Sequence, residues 1–306
     1  KKDWVQIYTQ SKSKTQIEMG NQMLDFSTAN PINNWDSPVE PPPVYAILGN
    51  EINSTQAVVR TDSNEVLGVH GSRYRILSHD DVVNSTLDAI KEADLSNDYE
   101  VTTKVIDGGR KLRGEILFNN ITIEPAVGDI VQYRISFFNS YDASWSFSQA
   151  ADGLRLWCLN GCTSPVGTAR SRYKHTQSIN IEGSAIKMVN GIDAFMNNKE
   201  EWMRWMQVDV TNEMAEHFFK HTIAKAQSRQ RLVHKSNEKQ LENLLGIWDN
   251  ERASLGNNKW ALYNAMTYWA SHTSELSNPE VARRNREDMI AKAMTHKSFN
   301  QQGELA

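Results

Sequence analysis

The stretch from Gly153 to Thr176 combines basic, aromatic and hydroxyl side chains and contains no Asp or Glu. Its basic and aromatic members are Arg155, Trp157, Arg170, Arg172, Tyr173, Lys174 and His175. A polyanion backbone needs cations along a track, and a single strand also needs flat faces on which bases can stack. We therefore predict that this stretch binds nucleic acid. A solvated basic strand balanced by acids elsewhere is the alternative.

A second group of cations follows a turn of two glycines. Gly108 and Gly109 separate two β-rich runs, which is typical of a β-hairpin. Arg110, Lys111 and Arg113 come directly after this turn. We expect these three side chains to form a flexible basic tip that extends the same nucleic-acid surface.

The sequence offers little for metal binding or catalysis. Cys158 and Cys162 form a single pair with His175 as the sole third ligand in view, whereas a structural zinc site needs four. His217 and His221 share a helix face, but no glutamate follows the first histidine as it does in zinc proteases. The nucleophile elbow, the phosphate-binding loop and the dinucleotide fingerprint are all absent from the sequence. We therefore predict no catalytic residues, no metal and no cofactor.

Composition restricts the class of protein. The chain has 306 residues, 39% hydrophobic and 23% charged, which is typical of a globular protein. Its net charge of −4 means that a nucleic-acid surface must be a local patch. Two cysteines cannot build a disulfide framework, and neither a membrane-spanning run nor a secretory signal is present. These features predict a cytoplasmic protein without a membrane partner.

Hydrophobic periodicity predicts an α+β fold. We expect a polar, Pro-rich arm over 1–45, a β-rich α+β core over 46–184 and a helical region over 185–306. In the core, three short strands over 56–78 precede a helix that begins at Ser78 and ends near Asp94, followed by the hairpin and a strand over 129–138. The core is thus a curved antiparallel β-sheet with a packed helix, and a mainly helical C-terminal half follows it. The helices expected there are 192–207, 212–230, 237–252, 258–273 and 279–297.

Four motifs carry a resemblance to a known family. They are "NSYDAS" (Asn139–Ser144), "LRLWCLNGC" (Leu154–Cys162), "YKHT" (Tyr173–Thr176) and "NNKWALYNAMTYWASHT" (Asn257–Thr273). In this order they resemble the phage/plasmid-like family known as domain of unknown function 932, over about residues 45–275. The resemblance implies a gene carried by phages, prophages or plasmids, and it supplies no catalytic residues. In architecture the chain is more distantly similar to phage single-strand annealing proteins of the RecT, Redβ and Erf type, which form rings or filaments.

The leading hypothesis is a phage- or plasmid-encoded protein of DNA recombination that binds and anneals single-stranded DNA without a nucleotide cofactor. It would act in the cytoplasm of a bacterial host cell as a homo-oligomer, a ring or filament, with a phage exonuclease or a host single-strand binding protein as candidate partners. One alternative is a protein that binds and inhibits a host protein through an exposed aromatic patch at Trp260, Tyr263 and Trp269. The other is a metal-dependent nuclease that uses Asp142 and Asp152.

Overall fold

The computed structural model describes residues 4–9, 43–45, 51–60, 63–156, 160–162, 169–176, 178–225, 237–273 and 279–300. Trp157 and Cys158 lie outside these ranges, as does most of the arm predicted over 1–45. None of the described helices is both long and apolar enough to cross a membrane.

The chain has the predicted α+β class, with antiparallel strands, packed helices and a mainly helical C-terminal half. The strands are β1 (Trp4–Thr9), β2 (Pro43–Tyr45), β3 (Glu51–Val59), β4 (Val66–Gly71), β5 (Tyr99–Ile106), β6 (Lys111–Ala126), β7 (Asp129–Ser140), β8 (Phe147–Arg155), β9 (Asn160–Cys162) and β10 (Ala169–Tyr173). The helices are α1 (His79–Glu92), α2 (Ile181–Val189), α3 (Gly191–Trp205), α4 (Asn212–His221), α5 (Glu238–Leu255), α6 (Lys259–His272), α7 (Pro279–Met294) and α8 (Lys297–Asn300).

Two sheets contain the strands. The larger has seven strands in the order β1-β5-β6-β7-β8-β10, with β9 also paired to β8, and the smaller has the order β2-β3-β4. The third strand predicted over 73–78 is wrong, because residues 74–78 form no ladder. Side chains take the place of a ladder there: the Gln56 amide donates to Tyr74 O at 2.6 Å, and the Tyr74 hydroxyl donates to Ser140 O at 2.9 Å.

The chain divides into two compact units that interleave along the sequence. The first unit comprises Lys1–Asn120, Arg134–Ala151 and Ala169–Asn190, and the second comprises Ile121–Tyr133, Asp152–Thr168 and Gly191–Ala306.

In the first unit, alternate side chains of the large sheet build an apolar core. Thr103 on β5 is the register partner of Gly114 on β6, and a Cβ added to Gly114 would lie 2.3 Å from the Phe137 ring. These three residues therefore share one face of the sheet. On β8, the Gln149 amide nitrogen donates a hydrogen bond to the Thr86 hydroxyl of α1 at 2.7 Å. Its amide oxygen accepts from the Ser184 hydroxyl of α2 at 2.6 Å, so both helices contact the sheet through buried polar groups.

Helix α1 begins where the sequence predicts. The Ser78 hydroxyl accepts a hydrogen bond from the Asp81 N–H at 2.9 Å, and Asp80 and Asp81 lie in the first turn, where the helix dipole favours negative charge. Helix α2 is not among the predicted elements. It is short, begins at an Asn180 cap that accepts from Gly183 N–H, and buries Ala185 and Met188 completely.

The second unit contains a core of aromatic side chains. Trp260 lies 5.3 Å from Trp202 between ring centroids, and Trp205 lies 5.2 Å from Tyr263. The exposed aromatic patch considered at Trp260, Tyr263 and Trp269 is wrong, because these residues are 0%, 0% and 5% exposed. Helical periodicity located the stripe, but all nine residues from Lys259 to Thr267 of α6 are buried, so this part of the helix has no exposed face.

Helix α4 ends at His221, earlier than the predicted position near 230. The Thr222 hydroxyl donates to Phe218 O at 2.6 Å, and the Ala224 N–H donates to Phe219 O at 2.8 Å. These bonds satisfy carbonyls that a longer helix would have used. The basic segment over 226–236 lies outside the described residues.

We expect the same substitution, glycine to alanine, to have opposite effects at two positions. Gly114→Ala places a Cβ against the Phe137 ring, which should lower the free energy of unfolding by about 1–3 kcal/mol. Gly246 lies in α5 with nothing within 4 Å of an added Cβ, so Gly246→Ala should raise the free energy of unfolding by about 0.5–1 kcal/mol. Urea unfolding of both variants tests this, and equal effects at the two positions would contradict the assigned packing.

Candidate nucleic-acid interface

Cations gather on the face of the large sheet that lies opposite the first unit's core. Because Thr103 and Gly114 point to the core, their neighbours Lys104 and Arg113 point to the other face, and these two are register partners. Arg134 of β7 lies on the same face and pairs with Glu115 at 3.4 Å, so it is neutralised within the sheet.

Strand β10 adds two arginines to this face. It ends the strand order beyond β8, with Arg170 opposite Ala150 and Arg172 opposite Ser148. Tyr173 stacks on Phe147 at 6.1 Å between ring centroids, on the core side. Arg170 and Arg172 therefore point away from the core, towards the same side as Arg113. We call Lys104, Arg113, Arg170 and Arg172 the cationic face.

Tyr173 does not belong to the cationic face. The sequence predicts that it alternates with the arginines as a stacking platform, but alternation along a strand places it on the opposite side from both. Lys174 follows the strand, and like Arg172 it is exposed and forms no ion pair with a residue that the structure describes. The side chain of Trp157 lies outside the described residues.

The hairpin tip is not a free basic loop. Its turn spans Asp107 to Arg110, with positive φ at Asp107, Gly108 and Gly109, so it is longer than two residues. Arg110 pairs with Glu65 at 3.1 Å and donates to Val66 O. Lys111 pairs with Asp107 at 2.9 Å and with Asp142 at 3.5 Å. The carboxylates of the first unit thus compensate both cations.

Arg155 is buried, which is inconsistent with the predicted nucleic-acid contact. Only 1% of the residue is exposed; its Nε donates to Asp129, and its guanidinium pairs with Glu251 at 2.8 Å. The indole N–H of Trp260 donates to the other Asp129 oxygen at 2.6 Å. This group of four side chains, all in the second unit, connects β7, β8, α5 and α6, and a buried charge needs such partners.

The cations that sequence analysis missed are Lys104 and Arg134. A signal was available for Lys104, because counting back from the Gly108-Gly109 turn places it opposite Arg113 in the hairpin register. No local signal exists for Arg134, which is 3% exposed and depends on a carboxylate of the neighbouring strand.

A buried polar centre in the first unit contains the "NSYDAS" motif. The Asn139 amide nitrogen donates to Leu77 O at 2.8 Å and lies 3.0 Å from Nδ1 of His79, while Nε2 of His79 lies 3.1 Å from Gly109 O. Since an amide nitrogen donates and a carbonyl accepts, His79 carries its proton on Nε2 and is neutral. The Tyr141 ring stacks on His79 at 4.1 Å, and its hydroxyl accepts the His79 backbone N–H.

Burial lowers the pKa of His79 from 6.5 to about 3; the charge of His175 adds to this effect, and the Gly109 carbonyl opposes it. Below about pH 6.5 the unfolded chain therefore binds a proton on His79, whereas the folded chain does not. The free energy of unfolding falls as the pH falls. When the pH is lowered from about 7.5 to about 5, the titration of His79 should reduce the free energy of unfolding by about 2 kcal/mol.

The matched variant is His79→Gln, which cannot titrate. Its free energy of unfolding should change less over this pH interval than that of the wild type, by about 2 kcal/mol. Urea unfolding at the two pH values measures the difference. Parallel pH profiles of the two proteins would show that His79 titrates normally in the folded chain.

No group of three or more His, Cys, Asp or Glu side chains is placed to hold a metal ion in the described part of the chain. No curated protein and no solved structure matches the chain, and the likeness to phage annealing proteins stays a prediction. The family described as Domain of unknown function (DUF932) matches residues 66–296, which is most of the sequence. The four motifs lie at or near the two buried polar groups: Tyr141 and His175 in the first unit, and Arg155 and Trp260 in the second. The chain therefore belongs to the Domain of unknown function (DUF932) family.

Proposed function

We propose that the chain binds single-stranded DNA on the cationic face and promotes the pairing of complementary strands without a nucleotide cofactor. The observation that carries the proposal is the alignment of four cations on one side of the sheet, two on the β5–β6 hairpin and two on β10. In a protein of net charge −4, this alignment supplies the local patch that a polyanion requires.

The spacing of the cations suits several phosphates of one strand. Strands β7 and β8 lie between β6 and β10, so the two groups of cations are three strand spacings apart, about 14 Å. A stacked strand rises about 3.4 Å per nucleotide along its axis, so about four nucleotides would span this distance. A protein that contacts only phosphates leaves the base edges free to pair, and we expect little sequence preference.

Oligomerisation would strengthen these contacts. Four cations give only weak binding at physiological salt, and several subunits on one strand would multiply it. We therefore include a homo-oligomer, a ring or filament, in the proposal. The proposal also includes a phage or plasmid origin and action in the bacterial cytoplasm. Its candidate partners are an exonuclease and a host single-strand binding protein.

The first test is the salt dependence of binding to a fluorescent single-stranded oligonucleotide, measured by anisotropy. The double variant Arg170→Ala, Arg172→Ala should weaken binding equally for different sequences. It should also reduce the slope of log affinity against log salt by about 1.4, since each phosphate contact on a single strand contributes about 0.7. Arg204→Ala, at an exposed position of α3, removes one charge as a control and should leave the slope unchanged. An unchanged slope in the double variant would remove β10 from the interface.

The second test is annealing itself. Mixing two complementary strands that carry a fluorophore and a quencher with the protein, in the absence of nucleotide, should accelerate pairing over the protein-free rate. The double variant should lose this acceleration in parallel with its loss of binding. Tight binding without acceleration would contradict the annealing proposal while leaving single-strand binding in place.

A further inference from the structure

The first unit contains a polar cleft that none of the cationic-face residues lines. Its volume is about 1100 Å³, and its walls include His70, Ser72, Arg73, Tyr74, His175 and Thr176. The lining combines two imidazoles, a guanidinium and hydroxyl groups, which are donors that recognise phosphate. The cationic face includes none of these side chains, and His175, which the sequence predicts to contact nucleic acid, lines this cleft instead.

A stack of three rings forms one wall of the cleft. Tyr74 lies between His70 at 3.9 Å and His175 at 4.9 Å, measured between ring centroids, with interplanar angles of 19° and 18°. Nε2 of His70 lies 2.6 Å from Tyr141 O, and since a carbonyl only accepts, this nitrogen carries a proton. A Cβ at Gly68 would approach both atoms of this bond to 2.5 Å, so glycine is required there.

The ring of His175 packs against Tyr74, but this stacking does not account for its two nitrogen atoms. It is 7% exposed, and neither ring nitrogen has a hydrogen-bond partner of normal geometry among the described residues. Leaving a buried polar atom unpaired costs about 1–3 kcal/mol, so a ligand that supplied a partner would recover this energy. Burial lowers the pKa of His175, and contacts of the ring with the backbone of Arg75 and Trp145 oppose this shift, so the ring is neutral near pH 7. A neutral imidazole has one N–H and one lone pair, and neither is used here in a hydrogen bond of normal geometry with a described residue.

The charge around the cleft favours an anion. Arg73 is exposed and forms no ion pair with a residue that the structure describes. The hydroxyls of Thr176 and Ser178 lie 2.9 Å apart and can both turn towards a ligand. The negative charge of Asp142 adds to burial in raising the pKa of Tyr74, and it opposes the effect of burial on the pKa of His175. Lys111 compensates this charge through an ion pair at 3.5 Å.

We propose that this cleft binds a phosphate dianion, either free or as the monoester of a nucleotide, with Arg73 and His175 as ligands. Arg73 supplies the charge, the N–H of His175 donates to a phosphate oxygen, and the hydroxyls of the rim complete the oxygen contacts. The site does not depend on the cationic face, and each proposal stands without the other.

Isothermal titration calorimetry with three probes tests the proposal: inorganic phosphate, thymidine 5′-monophosphate and thymidine. Both phosphate compounds should bind the wild type saturably and thymidine should not. Tighter binding of the nucleotide would identify a nucleotide or strand end as the ligand, and equal binding would identify free phosphate. Absence of saturable binding for both phosphate compounds would overturn the proposal.

Two variants assign the residues. Arg73→Gln and His175→Phe should each weaken phosphate binding about tenfold or more, as expected for a lost hydrogen bond to a charged group. Phenylalanine retains a ring for the stack on Tyr74 and removes both unpaired nitrogens, so His175→Phe should unfold at the same or higher urea concentration than the wild type. Arg204→Gln is the charge-matched control and should bind phosphate within about twofold of the wild type.

A His175→Phe protein that is folded and binds phosphate as tightly as the wild type would overturn the role of His175. Binding of an oligonucleotide with a 5′-hydroxyl separates the two proposals. Arg73→Gln should leave the salt slope of that binding unchanged, whereas the Arg170→Ala, Arg172→Ala variant should leave binding of inorganic phosphate unchanged.

Discussion

In the first unit, the end of β7 must satisfy several buried polar groups at once. The Asn139 amide holds the Leu77 carbonyl and the His79 ring, and the Tyr141 hydroxyl accepts the first N–H of α1. The carbonyls of Ser140 and Tyr141 accept from Tyr74 and His70. An orphaned buried partner costs about 1–3 kcal/mol, so these bonds fix the start of α1, the end of β4 and the ring stack together. The cleft and the core face of the sheet both depend on this one segment at the end of β7.

The second unit uses the same physical device with charges. Arg155 is enclosed with two carboxylates and an indole N–H, so the desolvation of three ions is offset by short contacts in a region of low dielectric. Removing one member leaves the remaining charges buried without a partner. The free-energy cost of that removal is much larger than the net stabilisation that the intact group provides. Its members come from four elements that are distant in the sequence, so the group specifies how β7, β8, α5 and α6 meet within this unit.

Local features of the fold could be predicted from the sequence because local chemistry determines them. The Ser78 cap, the Gly108-Gly109 hairpin and the stripe of α6 all depend on residues within a few positions of one another. Burial of Arg155 depends on Glu251, 96 residues away, and the loss of the strand over 73–78 depends on Gln56 and Ser140. A basic run does not reveal which of its cations will meet a carboxylate from another part of the chain.

For polyanion binding, the charge that remains after internal pairing matters more than the number of basic residues in a run. Arg110, Lys111 and Arg155 each have a carboxylate within a few ångströms, so binding a phosphate would require breaking an existing ion pair. Arg172 has no such competitor among the described residues, and it shares a sheet face with cations from a different hairpin. Strand alternation places Arg172 and Arg113 on one side without regard to their 59-residue separation, while it places Tyr173, the immediate neighbour of Arg172, on the other. The cationic face is therefore a property of the sheet and its register, and the "RSRYKHT" run contributes only its alternate members to it.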